Sequence, residues 1–333
     1  MNYPLISVYI LSLLLLASIT SCERILGYDY EEPEQCLDFM AEFESLRGVH
    51  FADHDRGWAV GLCGVIFSTN NGGETWSLQN SGSKESLSGI HFFGDQTGWV
   101  VGWNGTILHT AGGGIWEQQD RREESSSGIS WALRDVHFTS VQSGWAVGWN
   151  GTILHTADGG ENWEIQEKAS EMNLYSVFFT DDLTGWAVGW KGTIVHTSEG
   201  SNAWQVQESG TSEELHSIFF IDDQIGWAAG LQGTILNTLD GGENWQIQET
   251  PTTNAMRGIY FIDENKGWAV GSFGTILLTT DGGENWQRID NAAAEKELRL
   301  RDLHFVDENT GWAVGEEGII LHTSDGGESW EFQ

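Results

Sequence analysis

Cationic side chains are scarce in this chain. Only 15 lysines and arginines stand against 49 aspartates and glutamates over 333 residues, a formal net charge of −34. That field repels nucleic-acid phosphates and anionic lipid headgroups, so nucleic acid is excluded as a partner class. Catalytic signatures are missing too: there is no Gly-x-Ser-x-Gly elbow, no His-Glu-x-x-His zinc motif and no phosphate-cradling Gly-x-x-x-x-Gly-Lys. Proline is down to 3 residues and cysteine to 3, while glycine (43) and tryptophan (18) are abundant. The apolar content suits a well-packed core, in one large domain or two ordinary ones.

The longest apolar run, within residues 1–21, is too short and too early for a membrane span and has the length of a secretory h-region. It ends in Ile19-Thr20-Ser21-Cys22, which resembles the lipobox of bacterial lipoproteins. The resemblance implies cleavage before Cys22 and acylation of that residue, with plain secretion as the alternative. Either route places the mature chain outside the cytoplasm, and the first anchors it to a bacterial membrane by lipid. Residues 22–45 read as an acidic tether and leading segment. Cys36 and Cys63 then remain as an even pair, a candidate disulfide in an oxidising compartment or two unrelated small residues.

From residue 46 onward the chain repeats itself. Gly-Trp recurs at Trp58, Trp99, Trp145, Trp186, Trp227, Trp268 and Trp312, mostly 41 residues apart. A second Trp follows 17 or 18 residues later each time, so the repeat accounts for fourteen of the 18 Trp. Self-similarity at this period signals a repeat architecture. Each unit holds four short β-branched and aromatic runs, such as "LRDVHFTS", "GWAVGW", "TILHTA" and "NWEIQE", separated by Gly, Asn and Asp turns. No run has helical period or length. Seven units of four strands predict an all-β fold, a seven-bladed β-propeller over residues 46–333 with four antiparallel strands (A to D) per blade.

The segment "TADGGENW" (156–163), repeated at 238–245, 279–286 and 323–330, resembles the Asp-box of BNR-type repeats. Its Asp is expected to accept backbone N–H bonds inside the turn. Blade 1 has Asn71 at the Asp position, blade 4 has Glu199, and blade 2 is one residue short with Gly112. The whole unit, "GWAVG", "GTILHT" and "DGGENW" in order, resembles the seven-bladed photosystem II assembly and stability factor family over residues 46–333. The resemblance implies a scaffold that escorts membrane-protein intermediates, with no cofactor and no metal.

In a repeat protein, candidate functional residues are those where the copies differ. His50, His91, His137 and His304 share a strand position with Phe178, Phe219 and Tyr260; His109, His155, His196 and His322 share another with Ser68, Asn237 and Leu278. Both sets read as scaffold, because equivalent positions in different blades are not expected to converge on one metal ion. The residue opening strand A is Arg47, Ser88, Arg134, Tyr175, His216, Arg257 and Arg301 in turn, which places four of the ten Arg at the channel mouth. Two longer D-to-A loops bring Arg121, Arg122, Trp131, Lys296 and Arg299 to that face, and the B-to-C turns add Trp103, Trp149, Trp190 and Phe273. Large apolar side chains on tight turns are expected to be exposed there. Two readings stand: a protein-binding platform of Arg and aromatics, or Arg paired with the abundant carboxylates and Trp folded over blade edges. A sialidase-like site is disfavoured, since Tyr260 falls on the aromatic scaffold position and Tyr175 has no acidic neighbour in its own loop. A glycan is the alternative ligand. The reading is a non-catalytic, lipid-anchored, extracytoplasmic scaffold for a membrane or envelope protein partner.

Overall fold

The computed structural model describes residues 45–119, 132–200 and 203–333. The leader, the tether up to residue 44, Cys22, Cys36, Arg121, Arg122 and Trp131 lie outside them. Cys63 is disulfide-bonded; the expected pairing with Cys36 falls outside the described residues. No helix among the described residues is long and apolar enough to cross a membrane.

The described chain is a seven-bladed β-propeller. Seven four-stranded antiparallel sheets, each in sequence order, span residues 46–79, 87–118, 133–165, 174–207, 215–247, 256–289 and 300–332. Strand A of each blade packs against strand A of both neighbours and so lines the axis. One departure from the all-strand expectation is α1 (Ala292–Glu295), a single turn in the last D-to-A loop, started by Asn291, whose side chain accepts from the N–H groups of Ala293 and Ala294.

Strand B, Gly-Trp-Ala-Val-Gly in five of the seven blades, is buried throughout, and its alternation builds the blade interfaces. Trp and Val face the next blade, and Ala faces the preceding one. Trp58, Val60 and Ile66 of blade 1 thus share a core with Leu87, Ile90, Phe92, Val100 and Leu108 of blade 2. The Trp of every blade stacks flat on a Phe at the end of strand A of the next (the penultimate residue in blade 2), with centroids 3.5–3.7 Å apart from Trp58–Phe92 round to Trp312–Phe51. The same Phe meets the D-strand Trp of its own blade edge-on at 5.7–5.9 Å. Such pairs contribute about 0.5–1.5 kcal/mol each beyond their buried area. The Gly before each Trp is dictated by this packing: a Cβ at Gly144 would sit inside the Phe138 ring.

Every interface also carries the same long-range hydrogen bond. The B-strand indole donates to a glycine carbonyl in the next blade's C-to-D turn, from Trp58 to Gly113 (3.2 Å) round to Trp268 to Gly326 (2.9 Å). Between blades 7 and 1, Trp312 stacks on Phe51 and donates to the Gly72 carbonyl (3.0 Å). Among the described residues the ring therefore closes by the side-chain set used at the other six seams.

The Asp-box works as the turn chemistry requires. In blade 6, Thr279 Oγ1 donates to Asp281 Oδ1 (2.9 Å), and Asp281 accepts from the backbone N–H and side-chain amide of Asn285 (2.9 and 2.8 Å). The side-chain amide of Asn285 leads in holding the Asp281 carboxyl below its usual pKa. Asn71 makes the equivalent bonds in blade 1, accepting from Thr69 Oγ1 (2.9 Å) and the Thr75 N–H (3.0 Å). Asp281→Asn is therefore expected to cost under about 0.5 kcal/mol and Asp281→Ala about 1–2 kcal/mol, measured by urea unfolding.

Candidate partner-binding site

The geometry of the mouth begins with seven β-bulges. In each blade the A–B register slips around the second residue of strand A, between Leu46 and Gly48 in blade 1 and at the matching place in the others. A bulge re-aims the extra side chain. The seven bulged residues, Arg47, Ser88, Arg134, Tyr175, His216, Arg257 and Arg301, all line one cavity of about 110 Å³ at the head of the channel. The B-to-C turns belong to the same face, since the N–H of each first turn residue donates to the carbonyl just ahead of strand A, as Trp103 does to Ser86 and Trp149 to Ala132.

Around the mouth, Arg257, Arg301 and Arg47 occupy three consecutive blades (6, 7 and 1), and Ser88 follows. Arg134 then lies over the Tyr175 ring (5.6 Å), which stacks on His216 (5.3 Å). Arg301 is nearly enclosed and, with Arg299, grips Glu316 Oε1 of the blade 7 turn at 3.3 Å. This part of the mouth follows the ion-pairing reading. Lys296 sits over Phe332 (4.6 Å) on the outer strand and not at the mouth.

A second layer, unremarked from sequence, lies beneath the guanidinium groups. Asp135 accepts from the Val136 N–H, the Val177 N–H and Ser176 Oγ; Asp302 accepts from the Val49 and Leu303 N–H groups. Each Asp follows a blade with Gly at that position, Gly89 or Gly258, so its carboxyl serves the next blade's N–H, as Ser176 and Ser217 do, and also the N–H of its own blade that the Gly cannot reach. Burial pushes Asp135 above the usual carboxylate range and Asp302 up to about 7, against the N–H bonds. The recurring Leu-Arg-Asp at 133–135 and 300–302 is the sequence signal that could have found them.

Below the carboxyls the channel is girdled by aromatics. His50, His91, His137, Phe178, Phe219, Tyr260 and His304 form an unbroken circle, each centroid 4.6–5.3 Å from the next. The imidazoles of neighbouring blades meet, because this position lies on the innermost strand. Even so, among the described residues no group of three or more His, Cys, Asp or Glu could hold a metal ion. Removal from water lowers the His pKa values, to about 4 for His91 and about 3 for His304, and raises Tyr260 to about 12. The other set, His109, His155, His196 and His322, packs on its own B-strand Trp at 4.7–5.2 Å, stacked at His155 and His196 and tilted at His109 and His322.

The turn tryptophans correct the expectation of exposure. Trp103, Trp149 and Trp190 are half-buried: Trp103 meets Trp149 edge-on at 5.2 Å, and Lys191 covers Trp190 at 4.5 Å. Phe273 is different, 51% exposed and held at φ 57°, a left-handed conformation costly for a bulky residue. Tyr175 has a carboxylate nearby after all, Glu214 of the next blade, but burial and that charge raise its pKa, the wrong direction for a nucleophile.

No curated protein matches the chain. Among solved structures it is similar to "YCF48 bound to D1 peptide" (24% identity, 89% of this chain and 96% of that one, TM-score 0.71). It is also similar to YCF48 from Cyanidioschyzon merolae (22% identity, 86% and 97%, TM-score 0.70). A GH74 enzyme from Niastella koreensis matches at 11% identity (87% and 54%, TM-score 0.69). At these identities the likeness is one of fold. The model of the family "Photosynthesis system II assembly factor YCF48" matches residues 35–124, 117–198 and 243–332, so most of the propeller is covered, and the chain belongs to that family.

Proposed function

We propose that this chain is a non-catalytic scaffold that binds a peptide segment of a protein partner across the arginine-ringed mouth, assisting assembly or stability of an envelope complex. The carrying observation is the convergence of Arg47, Arg134, Arg257 and Arg301 on one cavity in a chain of net charge −34. Guanidinium groups offer forked donors to carboxylates and backbone carbonyls, and the aromatic turns add apolar contact area around them. The relative solved with a D1 peptide supports a peptide partner. Tethering through lipid on Cys22, outside the cytoplasm, completes the reading.

The test uses a form lacking residues 1–22, as bait for detergent-solubilised membranes. Replacing Arg47 and Arg257 with Glu is expected to weaken capture of the partner at least about 100-fold, since each charged hydrogen bond lost costs about 1.5–3 kcal/mol. Phe273→Asn removes an exposed anchor and relieves backbone strain, so capture falls while stability rises slightly. Undiminished capture by both variants, with unchanged circular dichroism, would sink the proposal.

A further inference from the structure

Antiparallel strands carry the A-to-B and C-to-D turns to the face opposite the arginine mouth. The A-to-B turns form its inner ring, joined from blade to blade by side chains: Lys266 Nζ donates to the Glu308 carbonyl (2.7 Å), His54 Nε2 meets Asp307 Oδ2 (2.7 Å), Arg56 pairs with Asp95, and Thr139 Oγ1 donates to Asp182. On three consecutive turns of this ring, in blades 2, 3 and 4, a large apolar side chain faces water: Phe93 is 45% exposed, Val141 47% and Leu183 55%. The fold does not ask for them. Phe93 stands where blades 3 and 4 have Thr139 and Thr180, Val141 where blade 5 has Asp223, and Leu183 where blade 5 has Gln224. Ile115, 78% exposed, joins the same arc from the C-to-D turn of blade 2, whose Gly113 N–H donates to the Gln96 carbonyl (3.0 Å).

The adjoining arc is acidic beyond what its turns use. In blades 5, 6 and 7 the second turn residue closes the turn: Asp222 Oδ1 accepts from the Gln224 and Ile225 N–H groups (2.9 and 2.7 Å), and Asp263 and Asp307 bond likewise. The next residue, Asp223, Glu264 or Glu308, is exposed and adds a second carboxylate. An apolar arc beside an acidic one fits a partner that carries apolar and cationic side chains together. A second copy of this chain does not fit, because its face would set carboxylate against carboxylate, and anionic lipid is repelled by the same field. We propose that this face docks a cationic amphipathic segment of a partner protein, its apolar side chains over Phe93, Val141 and Leu183 and its Lys or Arg side chains beside Asp223, Glu264 and Glu308. The site is separate from the arginine mouth and does not depend on it.

Fluorescence anisotropy of a labelled peptide of about 14 residues, Leu and Lys arranged with helical period, tests this on the full propeller. The peptide is expected to bind saturably, and at least about tenfold tighter than a scrambled peptide of the same composition. The informative variant combines Phe93→Thr, Val141→Asp and Leu183→Gln, each the residue a sibling blade carries at that position, so the thermal midpoint is expected to stay unchanged. Attraction by charge alone would strengthen with the carboxylate that Val141→Asp adds; docking on the apolar arc instead weakens at least about tenfold. Glu264→Gln with Glu308→Gln, on exposed turn positions, weakens binding several-fold, and Arg47→Glu with Arg257→Glu leaves it intact. The proposal is overturned if the triple variant binds the ordered peptide as tightly as the parent or tighter, or if ordered and scrambled peptides bind alike. It is equally overturned if the two Gln substitutions change nothing, or if the mouth variant weakens binding as much as the triple one.

Discussion

Acidified from about pH 6.5 to pH 4, the protein is expected to lose stability, because the histidines kept neutral by burial outnumber the two buried carboxyls that act in the opposite sense. His50, His91, His137 and His304 stay neutral in the folded channel because burial lowers their pKa values. The unfolded chain takes up those protons below about pH 6.5, so the contribution of these groups is complete above that pH. It is lost as pH falls toward about 4 for His91 and about 3 for His304. Asp302 and Asp135 act in the opposite sense, since their folded pKa values are raised. Asp302 favours folding fully only below the usual carboxylate pKa, and that contribution fades as pH rises through about 7. His109, His155, His196 and His322, also held below the usual imidazole pKa by partial burial, add to the loss on acidification. Changing all four His to Phe, the residue blades 4 and 5 already carry there, is expected to flatten the profile between pH 6.5 and 4. Urea midpoints measured across that range decide it: an unaltered slope in the quadruple variant would show that the circle of rings is not the source.

Trp312→Ala is expected to cost about 4–6 kcal/mol and to leave little folded protein at physiological temperature. Truncating a buried Trp typically costs ~3–5 kcal/mol, and the Gly72 carbonyl then loses its donor, which adds about 1 kcal/mol or more. Trp186, an interior seam with the same stack (3.6 Å) and the same bond to Gly241 (3.0 Å), is the control. The two substitutions should agree within about 1 kcal/mol, because blades 7 and 1 are joined as the others are. A much smaller cost at Trp312, by calorimetry, would mean that something other than this stack closes the ring.

Much of this was legible because the chain states its rule seven times. Gly-Trp spacing identified the blades, and the disagreements among Arg47, Ser88, Arg134, Tyr175, His216, Arg257 and Arg301 identified the mouth. Side-chain direction was less legible. The turns of Trp103, Trp149 and Trp190 are legible, but periodicity does not reveal that the first two meet edge-on or that Lys191 covers the third. The His circle was recognisable as a preference for rings, without any sign that the rings touch, since contact between blades depends on the distance of strand A from the axis. The arc of Phe93, Val141 and Leu183 required knowing that the A-to-B turns of consecutive blades share one ring. The three residues are visible in the chain, 48 and 42 positions apart, yet nothing local connects them.

Each blade carries a bulky face, Trp and Val, and a receptive face, Phe and Ala, and the two are different surfaces. In the language of assemblies this is a heterologous, head-to-tail contact, the kind that grows without limit unless the rotation per step closes a circle. Seven steps of about 51° do so here, making the protein a heptamer whose protomers happen to be covalently linked. A run of fewer blades would keep one bulky and one receptive face bare, and would be inclined to find its missing complement on another molecule.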